Sequence, residues 1–176
     1  LTGEHWTGDA FSNFVNASYS VSALNLTNCL FTAGTNWIVG GGSPTFNTNA
    51  ITWLASSSGI YQTAGAGRYY LADSSPYRNA GATNLSASAQ ALIQPRTTCP
   101  PLVFSNVTFT TDTTFSPQAQ RDTDAPDLGY HYAPLDYVFG GCHTTNANLT
   151  VTAGTALGWF RTDEGWYHAG QGLHLD

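Results

Sequence analysis

The sequence predicts an all-β chain of short strands strung into irregular solenoid coils, and three observations carry that expectation. No window of useful length repeats apolar residues at spacings of three and four, and no capping box precedes an apolar run, so helix is disfavoured. Short alternating or apolar runs fenced by Gly, Asn, Ser and Pro take the place of helices. The runs recur roughly every 10 to 20 residues, which suits coils of about 20 to 30 residues carrying two or three strands each. The same strands would also serve a β-sandwich, which stands as the alternative.

The strands are expected in this order. Residues 11–15 come first, then 20–31 (SVSALNLTNCLF), where Leu24 and Leu26 alternate with polar neighbours before Asn28 marks a bend. Asn suits that bend because it tolerates left-handed φ and its amide can bond neighbouring backbone; Cys29 then continues inward. Residues 36–39 precede the Gly40-Gly41-Gly42 loop, and 50–55 and 67–71 follow. Further strands are expected at 102–110, 130–132, 137–139, 148–152, 156–161 and 166–169. The stretch 72–120 is dense in Ser, Thr, Ala, Pro and Gln, with apolar patches at Leu92-Ile93 and 102–104, and reads as a loop-rich excursion. At 176 residues the whole of 1–176 is expected to form one module. It starts at Leu1 without Met and stops at GLHLD just after a strand-like run, which reads as a fragment of a longer chain.

Composition narrows the partners. Only 9% of residues are charged, all five basic residues are Arg, and the net charge is −6. Nucleic acid is disfavoured, because its recognition needs clustered cations to displace condensed counterions. No apolar stretch approaches the roughly 18 residues needed to cross a bilayer, so no membrane span is expected. Cys29, Cys99 and Cys142 are too widely spaced for a zinc knuckle and leave two readings: small buried residues, or a Cys99–Cys142 disulfide with one thiol over. Sequons at Asn16, Asn25, Asn84, Asn106 and Asn148 are possible glycosylation sites in a host that glycosylates.

The chemistry-bearing residues are sparse. In 121–132 (RDTDAPDLGYHY), Asp122, Asp124 and Asp127 surround Pro126 and could gather oxygen ligands for Ca²⁺, although the spacing lacks the Gly and the bidentate Glu of an EF-hand. The other reading is a turn in which the Asp side chains cap backbone N–H groups. No GxSxG or HExxH occurs, and the adjacent Cys142-His143 pair tends to point to opposite faces of a strand. His5, His131, His168 and His174 read as packing and hydrogen-bonding groups, and His143 as a solvated turn residue. Aromatic clusters carry the binding signal: Tyr69, Tyr70, Trp159, Trp166 and Tyr167 are the candidate carbohydrate-binding residues, with period-two alternation expected to send half of each cluster inward as core.

Together, 121–132 and 71–81 (LADSSPYRNAG) resemble the closing coils of secreted bacterial right-handed parallel β-helix proteins of the pectate-lyase-like kind, which carry SPAIDAG-like and then DIGAYE-like segments. The resemblance implies a right-handed parallel β-helix-like module, an extracellular or cell-surface location, and Leu128 and Tyr130 directed inward after the Asp-bearing turn. The chain departs from the pattern by running on about forty residues past Tyr132, and it has no Lys, a base often used by lyases on this fold. The expected function is therefore a structural or adhesive surface module without catalysis in this chain, whose partners are neighbouring copies of itself or other parts of a longer chain. A module that binds or degrades polysaccharide, as lyase or hydrolase, is the alternative.

Overall fold

A computed structural model describes residues 5–7, 13–16, 23–34, 36–39, 45–160 and 173–175. The chain is mostly β, with parallel two- and three-stranded ladders and one short helix among the described residues. The elements are β1 (His5–Thr7), β2 (Asn13–Asn16), β3 (Ala23–Thr32), β4 (Asn36–Val39), β5 (Thr45–Leu54), β6 (Tyr61–Ala64), β7 (Gly67–Leu71), α1 (Ala87–Ile93), β8 (Leu102–Ser105), β9 (Thr108–Phe109), β10 (Thr113–Phe115), β11 (Tyr137–Gly140), β12 (Cys142–Thr144), β13 (Leu149–Val151), β14 (Leu157–Trp159) and β15 (Leu173–Leu175). They fall into two compact units. The first comprises Leu1–Tyr61, Leu71–Thr98 and Arg121–Tyr132; the second comprises Gln62–Tyr70, Cys99–Gln120 and Ala133–Asp176.

In the first unit β1, β3 and β5 pair in parallel, as do β2 and β4. Leu24 stands beside Phe46, Cys29 beside Ile51 and Phe31 beside Trp53, so apolar residues stand side by side on the paired strands. The Asn25 and Asn47 side chains, 22 residues apart, bond to each other at 2.8 Å on the exposed side of this ladder. Simple alternation does not explain the core of β3, which uses Leu24 and Leu26 and then Cys29 and Phe31. The change of parity happens at Asn28, whose φ of 52° turns the pleat by one residue. Ala50 repeats the device with φ 49° between Phe46 and Ile51, which join the same core. The bend expected at Asn28 is thus present, and Cys29 points inward as expected, with no exposure. Phe31 stacks on Trp53 at 5.3 Å. Gly34 leaves room for that indole, since a Cβ there would lie 2.6 Å from Trp53 Cζ2.

The second unit repeats the scheme. β8, β11 and β14 form one parallel ladder, β9, β12 and β15 another, and β10 pairs with β13. Asn106 (φ 54°) and Gly141 (φ 65°) follow β8 and β11 and redirect the chain into β9 and β12. Phe104 stacks on Phe139 at 5.5 Å and Phe115 meets Tyr137 edge-on at 4.9 Å, filling a core that also takes in Phe109 and Cys142. Asp136, with no exposure, ties this unit together. Its Oδ1 accepts the Gln118 and Ala119 amides at 2.8 and 2.9 Å, and its Oδ2 accepts the Ala156 amide at 2.8 Å.

Several expectations change. The stretch 72–120 carries the unexpected helix α1 and strand β10, while β8 and β9 fall within 102–110, where a strand is expected. Helix α1 escapes pattern reading because seven residues are too few to show a period. It is held instead by the Ser86 hydroxyl, which accepts the Ala89 amide at 3.3 Å. Residues 130–132 are not a strand, for only Tyr132 forms a bridge, antiparallel to Thr97. Leu128 is buried as expected, but Tyr130 is exposed. The expected strand at 166–169 lies outside the described residues.

Candidate functional site

The two segments singled out in the sequence meet in the first unit, and Asp127 joins them. Ser75 starts a turn in 71–81, with the Tyr77 amide on its hydroxyl at 3.3 Å and the Arg78 amide on its carbonyl at 3.3 Å. The turn delivers Arg78 and Asn79 to the Asp loop. The Asn79 amide donates to Asp127 Oδ1 at 2.6 Å, the Thr98 hydroxyl donates to Asp127 Oδ2, and Arg78 Nη1 lies 3.6 Å from that same oxygen. The rest of the guanidinium fork holds the chain just before the turn, with Nη2 on the Leu71 carbonyl at 2.7 Å and Nε on the Ala72 carbonyl at 3.2 Å. Backbone bonds close the joint: the Gly81 amide donates to the Pro126 carbonyl at 2.7 Å and the Leu128 amide to the Tyr77 carbonyl at 2.9 Å. Glycine is required at 81, because a Cβ would sit 2.6 Å from the Pro126 oxygen.

Asp122 and His131 make the second half of the clasp. Both side chains are 3% exposed, and His131 Nε2 bonds to Asp122 Oδ2, which also accepts the Asp127 amide at 2.9 Å. His131 Nδ1 lies 3.0 Å from the Gly129 carbonyl. The ring is gripped at both nitrogens, so it serves packing and hydrogen bonding, as its sequence context suggested. Arg96 borders the pair, its Nη1 on the His131 carbonyl at 3.3 Å and its own carbonyl accepting the Asp122 amide at 2.9 Å. The clasp reaches β3 through Asn28, whose carbonyl accepts the Gly129 amide at 3.0 Å and whose Oδ1 accepts the Ala82 amide at 2.7 Å. Its Nδ2 is buried without a hydrogen-bond partner among the described residues.

The three aspartates proposed for Ca²⁺ therefore differ. Asp127 spends both oxygens on internal donors, Asp122 spends Oδ2, and Asp124 is exposed. Among the described residues no group of three His, Cys, Asp or Glu side chains is placed to hold a metal ion.

The other candidates are scattered. In β7 Tyr69 is 37% exposed while Tyr70 is buried, as alternation demands; Gly67 makes room for Tyr70, for a Cβ there would lie 2.5 Å from its ring. Burial pushes the Tyr70 hydroxyl above its ordinary value of 10.0. Trp159 is 76% exposed at the end of β14. Trp166 and Tyr167 lie outside the described residues. Cys99 and Cys142 are not bridged: Cys142 is sunk in the aromatic core with its thiol on the Phe104 carbonyl at 3.4 Å, and Cys99 is half-buried. His143 is exposed but belongs to β12 rather than to a turn, and it faces away from buried Cys142. Asn25, Asn84, Asn106 and Asn148 are exposed, and Asn16 lies in β2. Asn84 Oδ1 accepts the Asn49 amide at 3.0 Å, and Asn148 Nδ2 donates to Asp112 at 3.2 Å.

Sequence reasoning passed over Thr98 and Asp136. Thr98 sits 29 residues from Asp127 in a featureless run, and Asp136 is a lone acid; neither spacing carries a signal. Set against known proteins, the chain matches no family model, no curated protein and no solved structure.

Proposed function

We propose that this chain is a parallel β-solenoid module of an extracellular or cell-surface protein, with a structural or adhesive role and no catalysis of its own. One observation carries the reading: the acids best placed for chemistry are spent on tying backbone together. Asp127 anchors the 71–81 turn, Asp122 holds His131 and the Asp127 amide, and Asp136 takes three backbone amides. A general acid, base or nucleophile needs a reacting atom within reach, whereas Asp127 and Asp136 turn both oxygens, and Asp122 its Oδ2, to the chain's own donors. The parallel registers, the parity changes at Asn28, Ala50, Asn106 and Gly141, and the stacked aromatic columns support the solenoid architecture. Among the described residues β5 and β8 each pair along one edge only, and β8 exposes Leu102 and Val103. Such edges suit strand addition by a neighbouring copy or by another part of a longer chain.

Sedimentation and electron microscopy of concentrated protein test the assembly. The expected result is stacked particles with the roughly 4.8 Å strand repeat along their axis; a monodisperse monomer across the concentration series overturns self-assembly. A second reading rests on Trp159, a residue 76% exposed whose indole is a flat ring of the kind sugars stack on. A glycan array comparing wild type with Trp159→Ala decides it: polysaccharide binding lost in the variant supports the reading, and no binding by wild type removes it.

A further inference from the structure

We infer that the Asp122–His131 pair is a proton-dependent latch on the Asp loop, closed only while the two side chains hold one proton more than a neutral imidazole and an ionised carboxylate would. The latch is independent of the structural role proposed above, and either can fail without the other.

The proton count follows from what each ring nitrogen faces. Nδ1 lies 3.0 Å from the Gly129 carbonyl, which can only accept, so Nδ1 carries a hydrogen. A neutral ring then has a bare lone pair at Nε2. Nε2 is bonded to Asp122 Oδ2, and an ionised carboxylate also offers only lone pairs. Two acceptors in contact repel, so the bond needs a second proton, held on Nε2 as an imidazolium or on Oδ2 as a carboxylic acid. Turning the ring over gives no escape, because it sets C–H groups against both oxygens. Water gives none either, since both side chains are only 3% exposed.

The charged neighbours have partners of their own. Arg96 places Nη1 on the His131 carbonyl at 3.3 Å, and the Asp127 carboxylate faces Asn79, Thr98 and Arg78. Arg121 and Asp124 share the loop, with Asp124 exposed; the 71–81 turn brings Tyr77, and β3 brings Asn28, which does not titrate. Asp122 Oδ2 also accepts the Asp127 amide at 2.9 Å. Opening the latch therefore loosens the backbone at the residue that anchors the 71–81 turn.

An unfolded chain releases its imidazole proton above about pH 6.5, whereas the closed latch keeps it, so the folded state binds one proton more and stability falls as pH rises. The contribution is full below about pH 6.5 and is lost as pH climbs through the point where the closed pair releases its proton. On the acid side it is lost again near about pH 3.9, where an unfolded Asp122 takes up a proton that the pair has no place for.

Nuclear magnetic resonance of the full chain tests the proton directly. At about pH 7.5, where a free imidazole is mostly neutral, the His131 ring ¹⁵N shifts should show hydrogens on both nitrogens, or on Nδ1 alone beside an Asp122 carboxyl with the ¹³C shift of a neutral acid. A ring with one hydrogen beside an ionised Asp122 overturns the latch. Urea unfolding between about pH 6.5 and 8 gives a second readout: relative to His131→Gln, the folded-to-unfolded ratio of wild type should fall by up to about tenfold per pH unit. Parallel pH slopes in the two proteins overturn it as well. If the variant does not fold, the resonances of wild type decide alone.

Discussion

Replacing Asp127 by Ala removes the acceptor on which the two distinctive segments converge. Three interactions go at once: the Asn79 amide at 2.6 Å, the Thr98 hydroxyl, and Arg78 at 3.6 Å. Hydrogen bonds to a charged group contribute about 1.5–3 kcal/mol each, but the three losses do not add fully. The Asn79 amide belongs to an exposed residue that water can reach, and Arg78 keeps the Leu71 and Ala72 carbonyls. Thr98, 2% exposed, keeps the bond that its oxygen accepts from Arg78 Nη1 at 3.1 Å but loses the acceptor for its hydroxyl proton, and an arginine side chain only 19% exposed loses its close carboxylate. The net cost is about 3–5 kcal/mol, in the range for breaking a buried pair from one side. Asp127→Asn keeps one oxygen for Asn79 and lets Thr98 reverse its hydroxyl, so about 1.5–2.5 kcal/mol is expected. Urea unfolding gives the total, and hydrogen exchange at the Asn79 and Leu128 amides localises it, because both protons are held at this joint. An Asp127→Ala protein within about 1 kcal/mol of wild type, with those amides still protected, would refute the clasp.

Three further outcomes follow from the packing. Ala50→Val raises strand propensity, yet it should destabilise by about 2 kcal/mol because φ is 49° there, while Ala50→Gly should stay within about 0.5 kcal/mol; urea midpoints separate the two. Gly34→Ala should cost about 1–3 kcal/mol and alter the near-ultraviolet dichroism of Trp53, since the new methyl would meet the indole at 2.6 Å; unchanged stability would show that the ring yields freely. Burial raises the Tyr70 hydroxyl above 10.0, so the folded state favours its neutral form; that stabilisation is full below about pH 10 and is lost as pH climbs through the raised value. Alkaline unfolding curves should therefore flatten in Tyr70→Phe, and identical curves would count against the burial.

Local physics was legible in the chain from the start. Alternation placed Leu24 and Leu26 inward and sent half of each aromatic cluster to the core without saying which half, because successive strand residues point to opposite faces whatever they pack on. Asn28 announced its left-handed bend, since few other residues tolerate that conformation. The Asp-rich run was legible as a turn that bonds backbone, but not in its division of labour. Whether Asp127 met Thr98 and Arg78 depends on chain segments brought together from far along the sequence, and whether Asp122 met His131, nine residues on, depends on how the loop between them closes. Asp136 was unreadable for the same reason, its partners lying 17, 18 and 20 residues away. Tyr130 broke the alternation rule because the Thr97 bridge and the His131 bonds, not a sheet, shape 130–132. The sequence by itself determined the β character, the bends and the inward-facing sets, which follow from neighbours along the chain. Only the tertiary structure decided the register of the strands, and with it which carboxylate oxygens are spent on donors from distant parts of the chain.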